Sequence, residues 1–184
     1  QFLYIATYLK GDIGWCLVIG EAYKCPMFDS ATSFNGDISK WDVSRVTTMQ
    51  YMFYKVSSFN GDLSKWDVSR VTSIYAMLAY PPSFNGDLSK WDVSRVTNMA
   101  SMFSSASSFN GDISKWDVSS VISMDKMFLG AKSFNRDLSK WDVSSVTNMY
   151  RMFYGATSFE RELCGAAWGH FCTTSCWWHT HAAS

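Results

Sequence analysis

Residues 33–44 read Ser-Phe-Asn-Gly-Asp-Ile-Ser-Lys-Trp-Asp-Val-Ser, and the same phrase begins again at residues 58, 83, 108 and 133. The copies differ only by an exchange of Ile for Leu and by one Gly that is replaced by Arg136. No residue is inserted or deleted between copies, so the period is 25 residues throughout. A fixed period of roughly 20 to 50 residues is typical of a solenoid, in which one structural unit stacks on copies of itself.

The pattern within one repeat predicts two elements. Residues 40–44 alternate polar and apolar, which is typical of a short, half-buried strand. Apolar residues then recur every three or four positions from Val46 through Met49 and Met52 to Val56, which indicates one or two helical turns. We therefore predict an α/β repeat: a short leucine-rich-repeat-like solenoid with a parallel sheet on one face and short helices on the other.

The full phrase is also similar to a known repeat. The pattern F-N-x-D-[IL]-S-x-W-D-V-S-x-V-T-x-M-x-x-M-F covers Ser33 to Phe159 almost continuously. It resembles the 25-residue repeat of the BspA-like leucine-rich family, also described as the mycoplasma-lipoprotein repeat. The resemblance implies a microbial or algal repeat protein, often at the cell surface and linked to adhesion or partner binding, and it implies no catalytic residue.

The chain divides into three parts. We expect an N-terminal cap with a degenerate repeat in 1–33, five 25-residue repeats in 34–158, and a C-terminal cap with a Cys-, Trp- and His-rich tail in 159–184. Phe28 falls in the column of Phe53, which supports the degenerate first repeat.

All five cysteines lie in the two end segments, which predicts disulfide-stapled caps and an oxidising compartment. The candidates are Cys16, Cys25, Cys164, Cys172 and Cys176. We prefer a pair between the first two, and the pairing of the other three stays open. An odd count leaves one thiol over, free or intermolecular. The expected location is extracellular or at the cell surface, with an organellar or intracellular assembly as the alternative.

The tail carries two further candidate features. Its tryptophans, Trp168, Trp177 and Trp178, form a candidate docking end for another subunit. The adjacent pair Trp177 and Trp178 could instead seal the open end of the core. Exposed tryptophans of this kind need a cover. Cysteine and histidine also occur at spacings that zinc could use, in His170, Cys172, Cys176, His179 and His181. The match to a structural zinc site is loose, and we expect neither a metal nor a cofactor.

Two charged columns form the candidate binding face. They are Lys40, Asp42, Lys65, Asp67, Lys90, Asp92, Lys115, Asp117, Lys140 and Asp142. On a strand both columns would point outward, and opposite charges on diagonal neighbours would offset the repulsion of like charges. This face is either a solvated, charge-paired surface or a polar docking surface. A third possibility is that the Asp side chains bond to loop backbone.

Other columns favour structural roles. The Asn column that starts at Asn35 is expected to stack as an amide ladder that satisfies turn backbone. The Asp column that starts at Asp37 suits turns better than a calcium ladder, because the G-G-x-G-x-D signature is absent. Repeats differ mainly at 50–51, 54–57 and the equivalent later positions, so a partner-specific contact is as well placed there as on the uniform columns.

Composition excludes several functions. Sixteen basic residues balance sixteen acidic ones, which argues against a nucleic-acid partner. No apolar run approaches the length of a membrane span, roughly 18 residues. We therefore expect a non-catalytic protein-binding or adhesion module of a surface or secreted protein, with a protein partner of unknown identity. The alternative is a structural scaffold subunit docked in a larger assembly through its Trp-rich C-terminal end.

Overall fold

The computed structural model describes residues 27–163 and 168–169 as a stack of 25-residue coils. We number the coils 1 to 5, for residues 34–58, 59–83, 84–108, 109–133 and 134–158. Backbone hydrogen bonds join residues that lie 24 to 26 positions apart, so each coil rests on the next. A single column of parallel bridges runs through the stack, along Thr48, Ser73, Asn98, Ser123 and Asn148.

The predicted α/β architecture is wrong. Residues 27–163 contain no helix, and their only extended pairing is the column of isolated bridges. Each coil is instead a succession of tight turns. The leucine-rich-repeat-like arrangement of a parallel sheet against short helices is therefore absent from this part of the chain.

The predicted strand at residues 40–44 is replaced by two β-turns. The N–H of Trp41 donates to the carbonyl of Ile38 at 3.1 Å, and the N–H of Val46 donates to that of Val43 at 2.9 Å. The side chain of Asp42 accepts from the N–H of Ser44 at 3.1 Å. Such local bonds offer the backbone an alternative to a strand ladder. The in-and-out alternation survives nevertheless, because successive tight turns also point neighbouring side chains to different sides.

The predicted helix at residues 46–56 is excluded by the backbone angles. Tyr51 and Lys55 have φ values of 60° and 58°, and the equivalent residues of every later coil are also positive. A right-handed helix cannot hold a left-handed residue at every fourth position. Alternate N–H groups bond to the next coil instead: those of Met49 and Phe53 donate to Ser73 and Met77, each at 2.9 Å. The neighbouring coil thus supplies the acceptors that a helix would find within itself.

Aromatic columns fill the core. The rings of Phe59, Phe84 and Phe109 stack at centroid distances of 5.9 and 6.0 Å. The rings of Trp91 and Trp116 stack at 6.4 Å. Each indole N–H from coil 2 to coil 5 donates to a backbone carbonyl of the preceding coil, at 2.9 to 3.1 Å. A buried indole therefore both packs the core and joins two coils.

The stack continues beyond the five complete coils at both ends. Phe28 stacks on Phe53 at 5.4 Å, and its N–H donates to the carbonyl of Met52 at 3.1 Å. At the other end, the indole of Trp168 donates to the carbonyl of Leu138 at 3.3 Å. Within the described residues, no helix has the length and apolar character needed to cross a lipid bilayer.

Candidate functional site

The charged columns lie at the surface but are not ion-paired with each other. All ten Lys and Asp side chains of the candidate binding face are exposed. Within the described residues the one salt bridge joins Lys126 to Asp125 at 3.2 Å, and neither belongs to these columns. The expectation of a charge-paired sheet is therefore wrong. These lysines are exposed and form no salt bridge among the described residues, whereas the aspartates are held by their own turns.

Serine donors hold the aspartates in place. The carboxylate of Asp117 accepts from the Ser119 hydroxyl at 2.6 Å and from the Ser119 N–H at 3.1 Å. These hydrogen bonds, the hydroxyl bond first, hold the pKa of Asp117 below its usual range. The same causes lower the pKa of Asp42 and Asp67. The Asp side chains thus bond to the backbone of their own turns while they stay exposed, and a docking role for this column stays a prediction.

The columns that start at Asn35 and Asp37 are structural. Each Asn side-chain oxygen accepts from the backbone N–H one coil further on; for example, Asn85 accepts from Asn110 at 2.8 Å. This confirms the predicted amide ladder. Asp37 accepts from the N–H of Ser39 at 3.0 Å, and the Ser39 bonds lower its pKa. Among the described residues, no group of three acidic, His or Cys side chains could hold a metal ion.

A second surface carries the differences between repeats. We call it the variable face and define it as residues 50, 51, 54, 55 and 57 together with their counterparts in coils 2 to 5. These positions alternate with the core positions 49, 52, 53 and 56. Six of them hold tyrosine: Tyr51, Tyr54, Tyr75, Tyr80, Tyr150 and Tyr154. Three of these rings are substantially exposed, with Tyr150 at 56%, Tyr80 at 42% and Tyr154 at 38%.

The tyrosines of coils 1 and 2 form one cluster. The ring of Tyr51 meets those of Tyr54 and Tyr75 edge to face, at 5.4 and 5.0 Å. Tyr54 meets Tyr80 in the same way at 5.3 Å. A hydrogen bond with Tyr51 is the main cause of the raised pKa of Tyr75. The four rings are thus joined by contacts within the chain.

Cations lie over tyrosine rings at both ends of the variable face. The ammonium group of Lys55 lies 5.0 Å from the ring centre of Tyr54 in coil 1. In coil 5, the guanidinium group of Arg151 lies 5.0 Å from the ring of Tyr150 and 5.2 Å from that of Tyr154. These distances are within the range of cation–π attraction.

The middle of the variable face carries only small side chains. Coil 3 places Ala100, Ser101, Ser104, Ser105 and Ser107 there, of which Ala100 and Ser104 are buried. On either side, coil 2 carries Tyr75 and Tyr80, and coil 4 carries Lys126 and Leu129. The large and charged side chains of the variable face therefore lie on both sides of coil 3.

The two surfaces differ in charge. The variable face carries four basic side chains, Lys55, Lys126, Lys132 and Arg151, against the single acid Asp125. Residues 34–47 and their counterparts in coils 2 to 5 carry ten acidic and nine basic side chains. The excess positive charge of the repeats therefore lies on the variable face.

Sequence reasoning singled out the variable positions but missed their tyrosines. The tyrosines could have been found from the sequence, because they occupy repeat positions outside the core columns. Those core columns hold Phe, Trp, Met and Val instead.

Of the candidate docking end, only Trp168 lies within the described residues, and it is 0% exposed. Its indole bond to Leu138 matches that of Trp141 to Ile113, so Trp168 is the tryptophan of a sixth coil, displaced by two residues. The expectation that Trp168 docks a partner is wrong, because the side chain is part of the core. Trp177 and Trp178, all five cysteines and the candidate zinc ligands lie outside the described residues.

The family model described as Mycoplasma protein of unknown function, DUF285, matches this chain twice, over residues 24–96 and 79–171. The matches cover all five repeats and reach past Trp168. They support a repeat family, whereas the more specific BspA-like leucine-rich assignment stays a prediction. No curated protein and no solved structure matches the chain.

Proposed function

The chain belongs to the family described as Mycoplasma protein of unknown function, DUF285, and on that premise we propose that it is a non-catalytic protein-binding or adhesion module of a surface or secreted protein. The observation that carries the proposal is the variable face, where exposed tyrosines and packed cations coincide with the positions at which repeats differ. Tyr and Arg are enriched at protein interfaces and among the residues that dominate binding energy.

The composition of this face also suits binding. Tyrosine offers a large, stiff contact surface at a low entropic cost, and serine offers adaptable hydrogen bonds. The face combines both, with tyrosines in coils 1, 2 and 5 and serines in coil 3. The uniform framework holds the varied side chains in fixed positions, because each coil is bonded to its neighbours on both sides.

The aspartate columns favour a non-catalytic role. A carboxyl group that acts as a general acid near neutral pH needs a raised pKa. Serine donors instead lower the pKa of Asp87, Asp112 and Asp117. These carboxylates stay ionised and serve the turns.

Site-specific photo-crosslinking in the cells that make the protein tests the proposal. p-Benzoylphenylalanine is placed at Tyr80 or Tyr154 on the variable face, and at the exposed Lys90 as the matched control. We expect adducts with one or a few defined proteins from the tyrosine positions and none from the control. Adducts from Lys90 alone would move the binding site to the charged columns, and no adduct from any position would contradict a protein-binding role.

The same experiment distinguishes the scaffold alternative. A crosslinker at Trp178 is expected to give no partner adduct if the chain binds through the variable face. Adducts from Trp178 alone would instead favour a structural subunit docked through its C-terminal end.

The surface or secreted location is tested through the cysteines. Intact mass with and without reduction is expected to show the loss of four hydrogens in the unreduced monomer, which corresponds to two disulfides formed in an oxidising compartment. Five free thiols would favour an intracellular or organellar assembly.

A further inference from the structure

From the placement of its cations we infer that the variable face takes an extended acidic peptide segment that runs along the stack, with carboxylates at both ends. The inference rests on the proposed protein-binding function and names the chemistry of the partner. Its basis is one arrangement: cations lie on tyrosine rings in coil 1 and again in coils 4 and 5, and coil 3 between them carries only small, uncharged side chains.

The end cations are available to a partner. Lys55 and Arg151 are both exposed, and neither forms a salt bridge within the described residues. Lys126, in contrast, is paired with Asp125 at 3.2 Å. Each end cation lies over a tyrosine ring, so an incoming carboxylate would meet a charge that is already in contact with the face. Charge-assisted hydrogen bonds are stronger than neutral ones.

The distance between the two ends sets the length of the segment. Adjacent coils that are joined by parallel bridges lie about 4.8 Å apart, so four steps from coil 1 to coil 5 span about 19 Å. An extended chain covers about 3.3 Å per residue, so about six residues cover that length along the stack. Lys55 and Arg151 hold different positions of the repeat, so this is the axial length alone. Between the two ends, coil 3 offers only small, uncharged side chains, such as those of Ser101 and Ser105.

A peptide fits this charge pattern better than a nucleic acid. The exposed, unpaired cations of the face are Lys55, Lys132 and Arg151, and two of them are some four coils apart. A nucleic-acid backbone carries a charge at every nucleotide and needs a continuous basic track. Two separated positive points match two separated acidic clusters instead.

The test is fluorescence anisotropy with labelled seven-residue probes on the full chain. The first probe is Glu-Glu-Ser-Phe-Ser-Glu-Glu, in which the acids are at both ends. The second, Ser-Phe-Ser-Glu-Glu-Glu-Glu, has the same composition and charge but a single acidic end. The third replaces every Glu with Lys. We expect the first probe to bind about tenfold more tightly than the second, the third not to bind, and added salt to weaken the binding.

Variants locate the site. Arg151→Glu and Lys55→Glu are each expected to weaken the first probe about tenfold, whereas Lys90→Glu on the charged columns is expected to change its affinity less than twofold. Circular dichroism and thermal unfolding of each variant confirm that it is folded. Using both ends keeps the test valid if one variant fails to fold.

Several results would overturn the inference. These are no binding of the first probe, equal binding of the first two probes, an equal effect of Lys90→Glu, or tighter binding of a twelve-residue thymidine oligonucleotide that competes with the peptide. If the peptide probes fail to bind but photo-crosslinking at Tyr154 gives a protein adduct, the proposed function stands and the partner has a different chemistry. Failure of both experiments would remove the proposed function as well.

Discussion

The indole nitrogen of Trp116 donates a hydrogen bond of 3.0 Å to the backbone carbonyl of Leu88, 28 residues earlier. Trp116 is 4% exposed, and the same carbonyl also accepts from the backbone N–H of Trp91 at 3.1 Å. The bond therefore ties coil 4 to coil 3 through a side chain rather than through the backbone.

Trp116→Phe is expected to destabilise the chain by about 1 to 2 kcal/mol. The substitution removes one of the two donors to the Leu88 carbonyl, which keeps the N–H of Trp91, and it also removes part of a packed ring. Urea unfolding followed by circular dichroism measures the loss. Trp41→Phe is the matched control, because Trp41 is only partly buried, and its loss is expected to be smaller. Equal losses would show that the indole bond contributes little.

Ser105→Gly is expected to stabilise the chain by about 0.5 to 1 kcal/mol. Ser105 has a φ of 59°, and the same column holds Gly130 and Gly155 at 67° and 74°. A residue with a Cβ atom is strained in this region, whereas glycine is not. Ser108→Gly, at an exposed position without a positive φ, is the control and is expected to destabilise slightly. Thermal and urea unfolding check both, and a loss of stability in Ser105→Gly would contradict the backbone assignment.

Asn85→Asp is expected to be better tolerated than Asn85→Ala. The side-chain oxygen of Asn85 accepts from the N–H of Asn110, and aspartate keeps an acceptor at that position. Alanine removes it, at an expected loss of about 1 kcal/mol, moderated because the site is exposed and water can replace the acceptor. Urea midpoints near pH 7 make the comparison. An alanine variant as stable as the wild type would show that the hydrogen bonds of the amide ladder contribute little to the free energy of unfolding.

Stability is expected to be constant from about pH 7 down to about pH 4 and to fall below that, because carboxyl pKa values in an unfolded chain are about 3.9. Hydrogen bonds from serine lower the pKa of Asp62, Asp87, Asp112 and their equivalents in the folded state. A lowered folded pKa contributes stability above the unfolded pKa, and that contribution is lost as pH falls through the folded value.

Urea midpoints across this pH range test the expectation. A variant in which Ser44, Ser114 and Ser119 are replaced by Ala lacks hydroxyl donors to three of the carboxylates and is expected to decline less steeply. A decline that starts near pH 6, or one that is identical in the variant, would assign acid sensitivity to other groups.

The prediction of buried residues from sequence succeeded where the prediction of backbone conformation failed. Met49, Phe53 and Val56 were placed inward by their helical spacing, and all three are buried. The spacing reports only which side chains avoid water, and a run of turns with a positive φ at Tyr51 and Lys55 satisfies the same spacing as a helix.

The same division holds for the whole repeat and for the variable face. The sequence alone identified the repeat, its period, the positions at which copies differ and the residues of the core, because identical units that stack must bury identical columns. Only the tertiary structure decided that the backbone forms tight turns rather than helices. The carbonyl groups that accept its N–H groups belong to a neighbouring coil, as the Ser73 carbonyl does for the N–H of Met49. It alone also brought Tyr54 against Tyr80 and Tyr51 against Tyr75, because contacts between coils depend on the register of the stack rather than on any local pattern.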